Sequence, residues 1–224
     1  SSNDTYLKSY KLDSPLINND TGTLTSKIKF DATKEGLSLE TDFIVYEKLS
    51  DVPDGDKYEY VYPSYNLKKD LFSDMLVSGN ISLNSNGFMK NYNTNVFEKV
   101  VINDILYNSY PRFTDNGLKN NYNILFRNIN TDSENSQNYK NNFDAKIASM
   151  IEFNSSYPME KRTDYSSSIL KPIISARYSP NNSKNARNED RRINVNNVYS
   201  LDRLGLNDSV EGGGSLSFGT EFYN

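Results

Sequence analysis

The 224-residue chain contains no cysteine and no histidine. Without cysteine there is no disulfide framework and no thiolate metal site. Without either residue, the Ser-His-Asp and Cys-His arrangements of nucleophilic catalysis cannot be assembled, and zinc sites of the usual kind are excluded. Long apolar runs are missing too. No stretch approaches the roughly 18 consecutive apolar residues of a transmembrane helix, and the first residues lack the charged-then-apolar order of a secretory signal. Positive charge is neither abundant nor clustered: 25 Lys and Arg face 29 Asp and Glu, for a net charge of -4 and a pI near 5.0. A phosphate backbone is bound by clustered cations, so nucleic acid is not an expected partner.

Apolar residues are also scarce, at 36% with a mean hydropathy of -0.73, against roughly 45–50% in soluble globular domains. That composition alone suits disorder or a large solvated surface. The 17 Tyr and 11 Phe argue against disorder, because disordered segments are poor in large aromatic side chains. The remaining class is a structured chain that places its apolar groups sparingly and at regular intervals.

Those intervals are two residues long from end to end. Leu24, Ser26, Ile28 and Phe30 alternate with Thr25, Lys27 and Lys29, and Leu37, Leu39, Phe43 and Val45 alternate with Ser38, Glu40 and Asp42. Pleating sends alternate side chains to opposite faces, so both segments predict strands, joined into a hairpin by Asp31 to Gly36. Tyr58, Tyr60 and Tyr62 then oppose Lys57, Glu59 and Val61, and Val77 to Asn84 repeats the pattern. Val96 to Tyr107 reads as a less regular strand with mixed faces. Tyr122, Ile124 and Phe126 oppose Asn121, Asn123 and Arg127 after a turn at 114–117, and Phe143, Ala145, Ile147, Ile151 and Phe153 oppose Asp144, Lys146 and Glu152. Leu170, Ile174, Ala176 and Tyr178 share a face with Pro172, whose missing N–H belongs at a strand start or bulge. Leu216, Phe218, Thr220 and Phe222 mark a closing strand. Asn130 to Asn142, Ser155 to Ser168 and the long segment 179–213 are the predicted connections. The expectation is a single all-β domain over residues 1–224, an antiparallel up-and-down meander of nine or ten strands.

Local clusters that imitate chemical motifs have simpler explanations. Asp51 to Asp56 looks like a calcium loop but lacks EF-hand spacing and its closing Glu, so a charged turn is expected. Gly212 to Gly214 has no following Lys-Ser/Thr and no helix, which makes it a turn and not a phosphate cradle. Asn188 to Arg192 is a solvated charge cluster. Two carboxylates across a cleft would suffice for a glycosidase, yet no acidic pair here has the apolar surroundings that raise one pKa. The chain is therefore not expected to be an enzyme or to carry a cofactor or metal.

The most specific stretch is Tyr199 to Phe218. Its Asp202, Arg203, Gly205, Asp208, Glu211, Gly212 and Gly213 follow Leu170, Pro172, Tyr178 and Pro180 in a pattern of strand motif, loop and alternating strand. It resembles the loop-and-strand signature in the barrel of the LPS-assembly proteins of the Gram-negative outer membrane, the LptD (OstA/Imp) family. Asp4-Thr5-Tyr6-Leu7, followed by Tyr10, is similar to the segment that opens a middle barrel strand in the same family. The resemblance implies transport of lipopolysaccharide to the outer leaflet by a large barrel in the cell outer membrane. Its partners would be a lipoprotein plug of the LptE kind and a periplasmic transport bridge that docks on a separate domain. Ten strands cannot close a barrel of that size, so the expected architecture is an incomplete, middle portion of one. The loop 179–213 is expected to fold against the lumen wall, with Arg203 bidentate to a carboxylate such as Asp208 or Glu211.

Alternation alone leaves a second architecture open. In a soluble carbohydrate-binding β-sandwich the apolar faces meet in a core, whereas in a membrane barrel they face lipid and the polar faces line a lumen. Segments near ten residues match tilted membrane strands of about 9–11 residues, and connections that alternate between short and long are a barrel habit. A nonspecific porin-like channel is a third possibility of the same architecture.

Overall fold

A computed structural model describes residues 5–11, 18, 21–50, 52–74, 78–182, 192–206 and 209–223. Among the described residues eleven strands follow one another: β1 (Thr23–Lys34), β2 (Leu37–Lys48), β3 (Tyr58–Asp74), β4 (Gly79–Tyr92), β5 (Val96–Ser109), β6 (Arg112–Phe113), β7 (Lys119–Glu134), β8 (Asp144–Ser156), β9 (Met159–Arg162), β10 (Ser167–Ser179) and β11 (Gly213–Tyr223). Among the described residues helix is confined to α1 (Tyr6–Tyr10) and α2 (Asp54–Lys57). The strands form one sheet in the order β1-β2-β3-β4-β5-β7-β8-β10-β11, with β6 beside β7 and β9 beside β10. The architecture is thus an all-β antiparallel meander, and among the described residues β1 and β11 are its two ends, with no ladder closing it into a barrel.

The long strands run from 11 to 17 residues, beyond the five or six usual in soluble sheets. They are longer than the sequence suggests because polar residues continue the pleat. The β1–β2 hairpin turns on Glu35 and Gly36 alone, both at positive φ (42° and 73°), while Asp31 to Lys34 stays paired with Leu37 to Glu40. Two residues at positive φ make the turn whose twist matches the flanking strands. β7 likewise takes in Asn130 to Glu134, and β9 lies inside the predicted connection Ser155 to Ser168. Tyr6 to Tyr10 corrects another expectation, because this segment is a single helical turn with its two Tyr rings 4.8 Å apart, and not the opening of a strand. Asp4 lies outside the described residues.

Pro172 shows how the sheet accommodates a residue that cannot donate. β10 pairs with β8 from Ile173 to Tyr178 and with β9 from Ser167 to Leu170. Pro172 stands in the gap between these ladders, where its carbonyl accepts Tyr157 N–H at 3.0 Å. In an antiparallel pair a residue's N–H and C=O point the same way, so the missing donor faces that gap and no ladder bond is lost.

The chain forms two compact units, one of Ser1–Lys68, Ser85–Val101 and Asn130–Ala145, the other of Lys69–Asn84, Ile102–Ile129 and Lys146–Asn224. In the second unit the usual polarity is inverted. Ile147 is 75% exposed and Phe218 67%, and Phe126, Ile151, Ile174, Leu216 and Phe222 are exposed as well, while Glu152 (2%) and Arg177 (5%) are buried. The apolar core of this unit is a small cluster of Leu125, Ala148, Met150 and Val210. β5 also proves regular, since Asp104 and Ile102 alternate with Asn103 and Ile105 on a clean two-residue period. Its buried face mixes apolar with charged residues, which disguises the period in the sequence.

In the first unit, Gly87 of β4 is buried where a Cβ would stand 2.4 Å from the Val100 carbonyl oxygen and 2.9 Å from the Tyr65 ring. Backbone on one side and a ring on the other leave no room for a methyl group. Gly87→Ala is expected to destabilise by about 1–3 kcal/mol, whereas Gly214→Ala, whose Cβ would meet nothing nearer than 3.9 Å, should unfold with the wild type. Thermal or denaturant unfolding of the two variants measures the difference, and equal midpoints would contradict the close approach at Gly87.

Candidate functional site

Alternate positions on β5, β7, β8 and β10 place Asp104, Arg127, Glu152 and Arg177 on the covered face of the second unit. A buried charge is costly unless it is paired and hydrogen-bonded, so this face needs partners, and the segment between β10 and β11 supplies them. Pro180 directly follows β10 and β11 begins at Gly213 with φ of 83°. Between them the described residues 192–206 and 209–212 carry the groups that pair with the sheet.

Arg127 is the centre of the contact. Its Nε and Nη2 donate to Asp104 Oδ1 and Oδ2, each at 2.8 Å, a two-point pair across neighbouring strands. Its Nη1 turns to the loop and donates to the Leu206 carbonyl, to the Ser209 carbonyl at 3.0 Å and to Asp202 Oδ2 at 3.3 Å. One planar cation therefore ties two strands to three loop residues, a geometry that the five fixed donors of a guanidinium allow.

A second junction forms at Glu211. Arg203 meets its carboxylate in a two-point pair, with Nε to Oε2 at 2.9 Å and Nη2 to Oε1. Arg177 reaches the same residue from β10, with Nη2 at 2.8 Å from the backbone oxygen and 3.1 Å from Oε2. Arg177 leaves Nε and Nη1 buried without a partner, so its charge is balanced by Glu211 and by Glu152, its cross-strand neighbour on β8. Glu152 in turn accepts Asn123 Nδ2 (2.7 Å), Asn154 Nδ2 (2.9 Å) and Ser175 Oγ (3.4 Å). Hydrogen bonds to a buried carboxylate offset part of its lost hydration.

The loop keeps its shape through its own polar side chains. Asn194 N–H donates to Asn197 Oδ1 and Asn196 N–H to Asn194 Oδ1, while Asn197 Nδ2 bonds the carbonyls of Arg192 and Arg203. Such Asx-type bonds replace a ladder in a segment too irregular for one. Asp202 Oδ1 accepts Gly205 N–H at 3.1 Å. Leu206 and Val210 are almost fully buried, and Val210 packs on Leu125, Ala148 and Met150. Burial pushes the Asp202 carboxyl above the ordinary carboxylate range, and the Arg127 guanidinium opposes that shift only in part.

Of the residues singled out from sequence, Asp202, Arg203, Gly205 and Glu211 come together here. Gly212 and Gly213 lead from the loop into β11, and Asp208 lies outside the described residues. Leu170 and Tyr178 stand on the opposite, exposed face of β10, with Pro172 in the ladder gap and Pro180 just beyond the strand, so the strand motif is not part of the site. Of the cluster 188–192 only Arg192 is described, and of the Asp51 loop Asp56 accepts Thr94 Oγ1 at 2.8 Å. The two-residue period puts Arg127 and Glu152 on polar faces without giving them a role, and it does not mark Asp104, Leu206 or Val210. Charged residues at two-residue spacing within strands were the available signal.

Beside these ion pairs lies a cavity of about 560 Å³ lined by Arg192, Asn194, Asn197, Asp202, Arg203, Leu204 and Gly205. Guanidinium, amide and carboxylate groups can solvate hydroxyls and phosphates. No cluster of three or more His, Cys, Asp or Glu able to hold a metal is found among the described residues.

Two outcomes follow for this contact. Arg127→Ala removes what is, among the described residues, the donor shared by Asp104 and the loop, and should cost about 3–5 kcal/mol, as breaking a buried pair does, with faster proteolytic cleavage between residues 192 and 212. Arg127→Lys should recover little of this, because a single ammonium cannot serve the same acceptors. For Asp202, whose folded-state pKa is raised from 3.8, the protonated form is the relatively favoured one. Its stability contribution is full below the unfolded value and is lost as pH rises through the folded value. Wild type should therefore lose stability relative to Asp202→Asn over that window, as read by unfolding at a series of pH values. No protein-family model matches the chain, and a comparison with curated proteins finds no match either.

Proposed function

We propose that the chain forms part of an outer-membrane β-barrel that delivers lipopolysaccharide to the outer leaflet, in the manner of an LptD-like translocon. The observation that carries the proposal is the inverted polarity of the sheet. Phe218 and Ile174 are cross-strand partners near the middle of β11 and β10 and both lie exposed, while the opposite face buries Arg177, Glu152 and Arg127. An apolar face turned outward is costly in water and matched in lipid, where each strand must also have its backbone bonds made by neighbours. Long, tilted-strand lengths and the motif residues from Leu170 to Gly213 support the same assignment.

In this function the polar face and the docked loop line a hydrated lumen. Saccharide and phosphate groups pass along guanidinium, amide and carboxylate side chains, and acyl chains stay in apolar surroundings. No covalent step is needed. The remaining strands of the barrel, an LptE-like lipoprotein plug and the periplasmic bridge complete the assembly. A soluble carbohydrate-binding sandwich would need the apolar faces to meet between two sheets, and the described strands form one sheet with those faces uncovered.

The test is fractionation of envelopes holding the full-length protein, with heat-modifiability on gels and co-purification of lipopolysaccharide and a lipoprotein. Outer-membrane recovery with a mobility shift and both species is the expected result. Recovery in the soluble fraction without either overturns the proposal, and ion conduction by a protein that lacks a lipoprotein partner points to a porin-like channel instead. A sharper check is Phe218→Lys. In lipid it should cost about 2–4 kcal/mol near the midplane and lower the amount of assembled protein, whereas at a water-exposed site the same change would be neutral.

A further inference from the structure

In the first unit a continuous aromatic track crosses the exposed face of β1, β2 and β3. Phe30 meets Phe43 edge to face with ring centroids 6.3 Å apart, Phe43 lies 6.2 Å from Tyr62, Tyr62 lies 5.8 Å from Tyr60, and Tyr60 stacks on Tyr58 at 6.1 Å. Every ring but Phe43 is more than a third exposed. Two adjoining grooves flank the Tyr60 ring and share Tyr60 and Asn91. One, of about 270 Å³, includes Tyr62, Met89 and Phe97, and the other, of about 320 Å³, includes Tyr58, Asp54, Thr94 and Asn95. The wall of the second is held in place by Thr94, which bonds Asp56 through its hydroxyl and the Gly55 carbonyl through its N–H.

The chemistry along this track is graded. It begins with hydrocarbon at Ile28, Phe30 and Phe43, passes to amphipathic phenols at Tyr62, Tyr60 and Tyr58, and ends at amides and a carboxylate at Asn91, Asn95 and Asp54. A simple interfacial belt needs only the phenols at the water boundary. Ring faces beside amide and carboxylate groups, within a walled groove, are what a pyranose requires: C–H groups on an aromatic face and hydroxyls on polar side chains.

We infer that this face is a docking site for a glycolipid of the surrounding leaflet, with an acyl chain along Ile28, Phe30 and Phe43 and its saccharide in the Tyr60–Asn91 grooves. The inference rests on the membrane assignment above and adds a lipid site on the exposed face of β1, β2 and β3 in the first unit. Neither a free sugar nor a plain phospholipid matches both ends of the gradient.

The experiment places the full-length protein in bilayer discs of phosphatidylethanolamine with a minor fraction of lipid A carrying a short core saccharide. Lipids retained after mild detergent extraction are counted by mass spectrometry. Wild type should enrich the glycolipid over phospholipid, and Tyr60→Ala and Asn91→Ala should each reduce the enrichment, Tyr60→Ala by about three- to tenfold. Phe126→Ala, at an exposed aromatic position on β7 in the other unit, should leave it unchanged. Equal retention of both lipids, or equal loss with Phe126→Ala, overturns the docking site and leaves the membrane assignment standing. Binding of the acyl-free core saccharide as tightly as the glycolipid overturns the lipid half of the site. A protein that does not enter discs at all refutes the membrane assignment, and the docking site with it.

Discussion

The burial of the Arg127 guanidinium is the constraint on which the second unit depends. A cation held at 9% exposure on a strand is tolerable only while Asp104, Asp202 and two loop carbonyls surround it. Asp104 ties β5 to β7 through the two-point pair, and the loop acceptors hold Asp202, Leu206 and Ser209 against the sheet. The apolar anchors depend on that placement. Val210 reaches Leu125, Ala148 and Met150 because the backbone on either side of it is tied, through the Ser209 carbonyl to Arg127 and through Glu211 to Arg177 and Arg203.

This arrangement makes the polar face structural and chemical at once. Charges that would be a liability in a soluble core are compensated locally, which frees the opposite face to carry Phe, Ile, Leu and Tyr without cover. A water-soluble sheet would reverse this division. The inversion therefore connects the ion pairs of the loop to the proposed lipid surroundings: under that proposal one face would solvate polar groups and the other would be matched by hydrocarbon. In the first unit, phenyl rings give way to phenols and then to amides along one exposed surface.

Much of the fold is legible in the sequence because pleating imposes a period that needs no tertiary information. Tyr58, Tyr60 and Tyr62, or Leu216, Phe218 and Phe222, share a face in any strand they form. Places where the period is hidden have identifiable causes. β5 mixes Val100 and Ile102 with Glu98 and Asp104 on one side, so hydropathy does not alternate although side-chain direction does. β7 runs on through Asn130 to Glu134, because Thr131 and Ser133 are buried by packing and not by polarity. Tyr6 to Tyr10 has strand-like composition, yet its i and i+4 rings meet on a helical turn.

The candidate site is legible in part. Asp202, Arg203, Gly205 and Glu211 are close in sequence and form local contacts, so their grouping follows from spacing. Arg127, Asp104 and Arg177 lie 75, 98 and 25 residues from Asp202 in the numbering, and only the pairing of β5, β7, β8 and β10 brings them to the loop. By itself, then, the sequence determined the all-β class, the two faces of most strands and the existence of a long polar loop, since these depend on local sterics and on period. Tertiary structure decided which face is covered, which guanidinium meets which carboxylate, and that the apolar side is the uncovered one. Alternation is symmetric between the two faces, and only the packing of the loop against one of them breaks that symmetry.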